Sequence, residues 1–131
     1  MILLDTHVLL WLAIEPKKLS KAATHAIRRA ARSGGLCIAS ITLLELAVLF
    51  ARGRVRSAGT VAQSLAELAD RTSVQVQEIT PAIAAMAAQF GANAPSDPAD
   101  RLIMATALEG SIPLVTRDER IVESAVCQTI W

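Results

Sequence analysis

Two short runs in this chain carry no charged or alternating polar residue at all, Ile2-Leu3-Leu4 and Leu36-Cys37-Ile38-Ala39, and a third, Leu114-Val115, follows Pro113. A half-exposed strand alternates apolar and polar positions, whereas a strand covered on both faces reads as continuous apolar sequence. Helix-length segments separate these runs. Strands alternating with helices form a mainly parallel sheet, because each crossover must carry the chain back across a face. The chain is therefore expected to be α/β: one domain over residues 1–131, with a central, mainly parallel sheet of four or five strands and helices on both faces. A hydrophobic content of 53% in 131 residues is enough for such a core without disulfide support.

Turn and cap residues divide the rest. His7 to Ala13 reads as a helix that Pro16 breaks. Ser20 caps a helix running to Arg32, stopped by Ser33-Gly34-Gly35. Ser40 is placed to cap the next helix, which Gly53 ends, and Thr60 to Arg71 is amphipathic. Val74 and Val76 alternate as a third strand that extends to Ile79. Thr80-Pro81 and Asp97-Pro98 each open a helix by an N-cap followed by proline at the first helical position. A fourth strand over Pro113 to Thr116, a short helix over Glu119 to Ser124 and a last strand near Val126 to Ile130 complete the chain.

Four acids stand at the rims of these apolar elements. Asp5 ends the first strand, Glu45 lies inside Ile41–Phe50, Asp100 opens the helical run to Leu108, and Asp118 follows the fourth strand. A carboxylate against a core must be paired, protonated or metal-bound, or it costs several kcal/mol. In a parallel α/β sheet, sites form beyond the C-terminal strand ends. Asp5, Glu45 and Asp118 all follow strands, and the Asp100 helix runs back toward the same edge, so all four can meet. Each also has an ordinary explanation. Asp5 and Asp118 suit a cap or turn, Asp100 suits the first turn of a helix dipole, and Asp97 is accounted for by capping alone. Together the four amount to a hard-oxygen site for Mg²⁺, with Mn²⁺ as a substitute, rather than for zinc. Such a site serves phosphodiester hydrolysis.

Charge and composition narrow the partners. Residues 1–57 hold nine Lys/Arg and three Asp/Glu, and residues 58–131 hold four and nine. The basic half, including Arg28 and Arg32 on one helix face, can meet a polyanion, and Arg101, Arg117 and His7 lie beside the acids. Aromatic content of 3% with no Tyr excludes an extended base-stacking platform. Cys37 and Cys127 lack metal-binding spacing and read as reduced thiols of a cytoplasmic protein. No basic leader precedes Asp5, and the longest uncharged run, Ile79 to Ser96, is broken by Pro, Gly and Asn, so no signal peptide or membrane span is expected. A Rossmann nucleotide site is excluded by the absence of a Gly-rich turn after the first strand. The Asp5-Thr6-His7 turn lacks the second acid of a haloacid-dehalogenase-type phosphatase.

The ordered set Met1-Ile2-Leu3-Leu4-Asp5-Thr6-His7-Val8-Leu9-Leu10-Trp11, Ser40 with Glu45-Leu46, Asp97-Pro98-Ala99-Asp100-Arg101 and Leu114-Val115-Thr116-Arg117-Asp118 resembles PIN-domain proteins, and among them the VapC-type toxins of bacterial toxin–antitoxin pairs. The resemblance implies a Mg²⁺-dependent endoribonuclease, homodimeric, and held inactive by a cognate antitoxin. It implies catalytic and metal-binding roles for Asp5, Glu45, Asp100 and Asp118, with Asp97 as an additional acid. Two other readings are a PIN-type nuclease of RNA maturation or DNA processing, and a non-catalytic binding module. Trp11, Leu12 and the Val61/Leu65/Leu68 face are the expected surfaces for dimer or antitoxin.

Overall fold

The computed structural model describes all residues from Met1 to Trp131. Its sheet has five strands in the order β3-β2-β1-β4-β5: β1 Ile2–Leu4, β2 Leu36–Ala39, β3 Val74–Gln77, β4 Leu114–Val115 and β5 Thr129–Ile130. All four pairings are parallel. The chain moves from β1 outward to β2 and β3, then returns to β4 on the other side of β1. That reversal lies between β1 and β4, where Leu3 pairs with Leu114 and Leu4 with Val115. Loops leaving the two strands diverge there and open a crevice at their C-terminal ends.

The two faces are legible residue by residue. Ile2, Leu4, Leu36, Ile38 and Val115 point into one core, and Leu3, Cys37, Ala39 and Leu114 into the other. The first core is covered by α1 (Thr6–Ile14), α2 (Lys21–Ser33), α3 (Ile41–Ala51) and α4 (Val61–Thr72). The second is covered by α6 (Pro98–Glu109) and α7 (Glu119–Ser124), and α5 (Pro81–Gln89) packs on the outside of α6. Coverage from both sides is why the central strands tolerate no polar alternation.

Local signals set most boundaries. Ser20 accepts from Ala23 N, Thr80 accepts from Ile83 N, and Thr60 and Gln63 form a reciprocal capping box. Pro16 ends α1 in a single 3₁₀ turn, Pro16–Lys18. Three expectations need correction. Ser40 precedes α3 but caps nothing, because its backbone is already helical there. The Val61/Leu65/Leu68 face and Leu12 are not open partner surface: Leu68 is buried and the others pack on the first core. Cys127 lies in a bend before β5 rather than in a strand. Both cysteines are free, and burial pushes the Cys37 thiol up to about 11. No helix is long and apolar enough to cross a membrane.

Candidate active site

β1 delivers Asp5 to the crevice. Its backbone N–H still donates to Val115 O at 3.0 Å, so the residue extends the sheet by one position before α1 begins. The carboxylate accepts from Thr6 N at 2.7 Å and from Thr116 Oγ1 at 2.6 Å. Thr116 is wholly buried and also accepts from Asp118 N at 3.0 Å. One hydroxyl thus ties the acid after β1 to the acid after β4.

Glu45 arrives from α3, one turn after Thr42, and accepts from Thr6 Oγ1 at 2.5 Å. The Thr6 and Thr42 hydroxyls stand 3.1 Å apart, so two buried threonines hold the Glu45 side chain against α1. Asp100 lies in the first turn of α6 and is only 8% exposed. Asp97 precedes that helix but makes no side-chain cap; its carboxylate is free and lines the same pocket. Capping alone does not account for it. Asp118 does cap α7, accepting from Arg120 N at 2.9 Å.

Asp5, Glu45, Asp97, Asp100 and Asp118 therefore line one pocket of about 470 Å³, together with Glu119, His7, Trp11, Arg117 and Arg120. The charge it concentrates is visible in its acid–base properties. Burial, reinforced by Asp97, Asp118 and Asp5, raises Asp100 to about 7. Burial also raises Asp5 against the hydrogen bonds from Thr116 and Thr6, and raises Glu45 against the one from Thr6. Burial works against Asp118 as well, but Arg120 more than offsets it, and this carboxyl falls below its usual range. Arg120 Nη2 lies 3.1 Å from Asp118 Oδ2 and 3.4 Å from Asp100 Oδ2.

Not every residue expected here is present. The Arg101 guanidinium points the other way: Nε donates to Pro95 O at 2.7 Å, and Nη1 to Ala87 O and Phe90 O at 3.2 Å. It closes the α5–α6 connection and is withdrawn as a substrate contact, because a helical residue next to Asp100 faces a different side. Arg28 lies on α2 beside a separate cavity with Leu12 and Lys17, and Arg32 is exposed on the same helix. Arg117 and His7 do line the pocket. Thr6, Thr42, Thr116 and Arg120 were missed. The threonines had a signal, a polar residue where a buried strand or helix turn meets an acid; Arg120 had none beyond standing two residues after Asp118.

The donor set is entirely carboxylate oxygen, which suits a hard divalent cation. As the side chains stand, no three acids surround one point at ligand distance, and Arg120 bridges the gap between two of them.

The PIN domain family model matches residues 2–126. The chain is 43% identical over 120 residues to Ribonuclease VapC22 of Mycobacterium tuberculosis (strain ATCC 25618 / H37Rv), covering 92% of this chain and 88% of that protein. Solved structures share the fold, two of them as follows. VapBC2 from Rickettsia felis, bound to a DNA fragment from their promoter, has a TM-score of 0.68 and 15% identity, covering 98% of this chain and 97% of that one. VapBC-1 from nontypeable Haemophilus influenzae has a TM-score of 0.66 and 22% identity, covering 98% and 96%.

Proposed function

The chain belongs to the PIN-domain family, and from that premise we propose that it is a Mg²⁺-dependent endoribonuclease, the toxin of a toxin–antitoxin pair. The observation that carries the nuclease reading is the convergence of six carboxylates, from four separate places in the sequence, in one pocket at the β1/β4 crevice. The toxin role is supported by the 43% identity to a VapC ribonuclease over nearly the whole chain.

Asp5, Glu45, Asp100 and Asp118 would hold the cation, with Asp97 as a further acid. When bound, Mg²⁺ or Mn²⁺ supplies Lewis acidity, neutralising charge that develops on a phosphoryl oxygen and easing deprotonation of water. The chain's own part is to keep the ligands in place. Thr116 and Thr6 fix the Asp5 carboxylate, and Thr6 also fixes Glu45. Such support by neighbouring hydrogen bonds limits the motion of a ligand side chain. Arg117 and Arg120 bring positive charge to the rim of an otherwise acidic pocket, which a polyanion needs in order to approach. His7 is exposed at the same rim and can donate to a phosphate oxygen.

The test is cleavage of single-stranded RNA by the purified chain. With Mg²⁺ or Mn²⁺ it cuts; in chelator, or with Asp5→Asn or Asp100→Asn, it does not. Wild-type cleavage by either variant would refute the assignment of these carboxylates. A cognate antitoxin and a homodimer belong to the same proposal; a short open reading frame for a DNA-binding protein beside the gene, whose coexpression suppresses the cleavage, is the expected finding, and its absence would count against the toxin role.

A further inference from the structure

A second cavity, of about 450 Å³, opens beside the carboxylate pocket and shares His7 and Trp11 with it. We propose that this cavity, walled by Trp11 and edged by Lys18, Arg54 and Arg56, seats the single-stranded RNA segment adjoining the scissile bond. The inference rests on the nuclease reading above and adds the route by which the strand reaches the acids.

The cavity's rim is basic. Glu15 is the only acid lining the cavity, and it pairs with Lys18 at 3.4 Å. Neither Arg54 nor Arg56 makes an ion pair, so two guanidinium groups stand uncompensated next to a strongly acidic pocket. A strand laid across these carboxylates is repelled unless cations hold the adjoining phosphates; beyond Arg117 and Arg120 in the pocket itself, Arg54 and Arg56 line the cavity that shares its His7 and Trp11 wall.

The backbone leading into the two arginines is fixed. Gly53 follows α3 with φ +69° and an open Cβ position. Its N–H donates to Phe50 O at 3.1 Å, and Arg54 N–H donates to Leu49 O at 3.0 Å. These are the paired bonds of a Schellman cap, which turns the chain sharply and fixes the next residues. Val55 then packs on the first core, anchoring the loop between the two arginines.

The wall is aromatic and apolar. Trp11 and His7 line it with ring centroids 6.0 Å apart, and Trp131, outside the lining, backs Trp11 at 5.8 Å. Leu10, Ile14 and Val55 add apolar surface. Composition excludes an extended stacking platform, and one indole suffices for one base; Lys18 Nζ stands 5.9 Å from the Trp11 ring centroid, so a base stacking on that face displaces it toward the phosphates.

The experiment measures binding of a single-stranded oligoribonucleotide by fluorescence anisotropy over a salt series, in an Asp5→Asn background that does not cut. Adding Arg54→Ala with Arg56→Ala should weaken binding severalfold and lower the salt slope by about 1.4, at roughly 0.7 for each lost phosphate contact on a single strand. Arg54→Lys with Arg56→Lys should restore the slope, because charge rather than shape sets it. Unchanged affinity and slope in the alanine variant, while the Asp5→Asn parent binds RNA, would overturn the cavity proposal and leave the nuclease reading standing. Retained RNA binding with loss of antitoxin binding would make the cavity a protein interface, again overturning it. If the parent binds no RNA and the unsubstituted chain cuts none, both readings fall together.

Discussion

Asp100 stands well above the ordinary carboxylate range, and the consequence is measurable without any substrate. Its ordinary value is 3.8 and in the fold it rises to about 7. Below about pH 4 it is protonated in both states. Between there and pH 7 the unfolded chain releases the proton while the folded chain keeps it, so in chelator this residue makes stability fall as pH rises through that window and level off above it. Asp100→Asn should flatten this part of the profile and melt no lower than wild type near pH 8; a steeper loss of stability would show that the carboxylate supports the fold. Arg120 supplies the second prediction at this scale. Its guanidinium bridges the two carboxylates that a cation would also use, so arginine and Mg²⁺ compete. Arg120→Ala should shift the Mg²⁺ thermal-stabilisation midpoint to lower concentration, since binding to the folded state raises stability by mass action. A midpoint at unchanged or higher Mg²⁺ would mean that Arg120 is neutral or helps hold the ion.

Among the elements, α6 has two unlike jobs on adjacent residues. Asp100 turns into the pocket, while Arg101 reaches back to three carbonyls at the end of α5 and the loop before α6. A guanidinium serving unsatisfied carbonyls at a helix C-terminus both satisfies them and suits the helix dipole. Arg101→Ala should therefore cost on the order of 2–3 kcal/mol of stability, typical of lost charged hydrogen bonds, measured by denaturant titration. RNA cleavage under folding conditions should survive it. Loss of cleavage with unchanged stability would return Arg101 to the substrate path. The same division marks the strands: β1 and β2 are wholly buried, whereas β3 at the sheet edge exposes Val76 by 40%.

At the scale of the whole molecule, the strand order explains why distant acids meet. β1 stands at the centre, the chain departs to one side and returns to the other, and the crevice opens where the directions part. The proposed homodimer must use surface left over once the α4 face is assigned to the core. Leu44 at 59%, Ile14 at 48%, Ile79 at 44% and Val122 at 43% exposure, with Met1 and Val76, are the large apolar side chains available. Light scattering should give twice the chain mass of 13.9 kDa, and Leu44→Glu should reduce the dimer if α3 contributes. A monomer at micromolar concentration for the unsubstituted chain would exclude the dimer.

The α/β class, the buried central strands and most helix boundaries were determined by the sequence alone. Burial on both faces, N-caps such as Ser20 and Thr80, and Pro16, Pro81 and Pro98 are local constraints that hold whatever the rest of the chain does. The acids were legible for a related reason: a charge at the end of an apolar run is costly in any fold. The directions of long side chains were not legible. Arg101 and Arg120 stand in similar sequence surroundings, one beside Asp100 and the other two residues after Asp118, yet one serves backbone carbonyls and the other the acids. The Val61/Leu65/Leu68 face read as apolar in either case, and only packing decided that its partner was this chain's own core. Helical facing and the identity of the nearest element are set by tertiary contacts. Which of several available partners a flexible cation or an apolar stripe takes is therefore decided only when the sheet has brought those elements together.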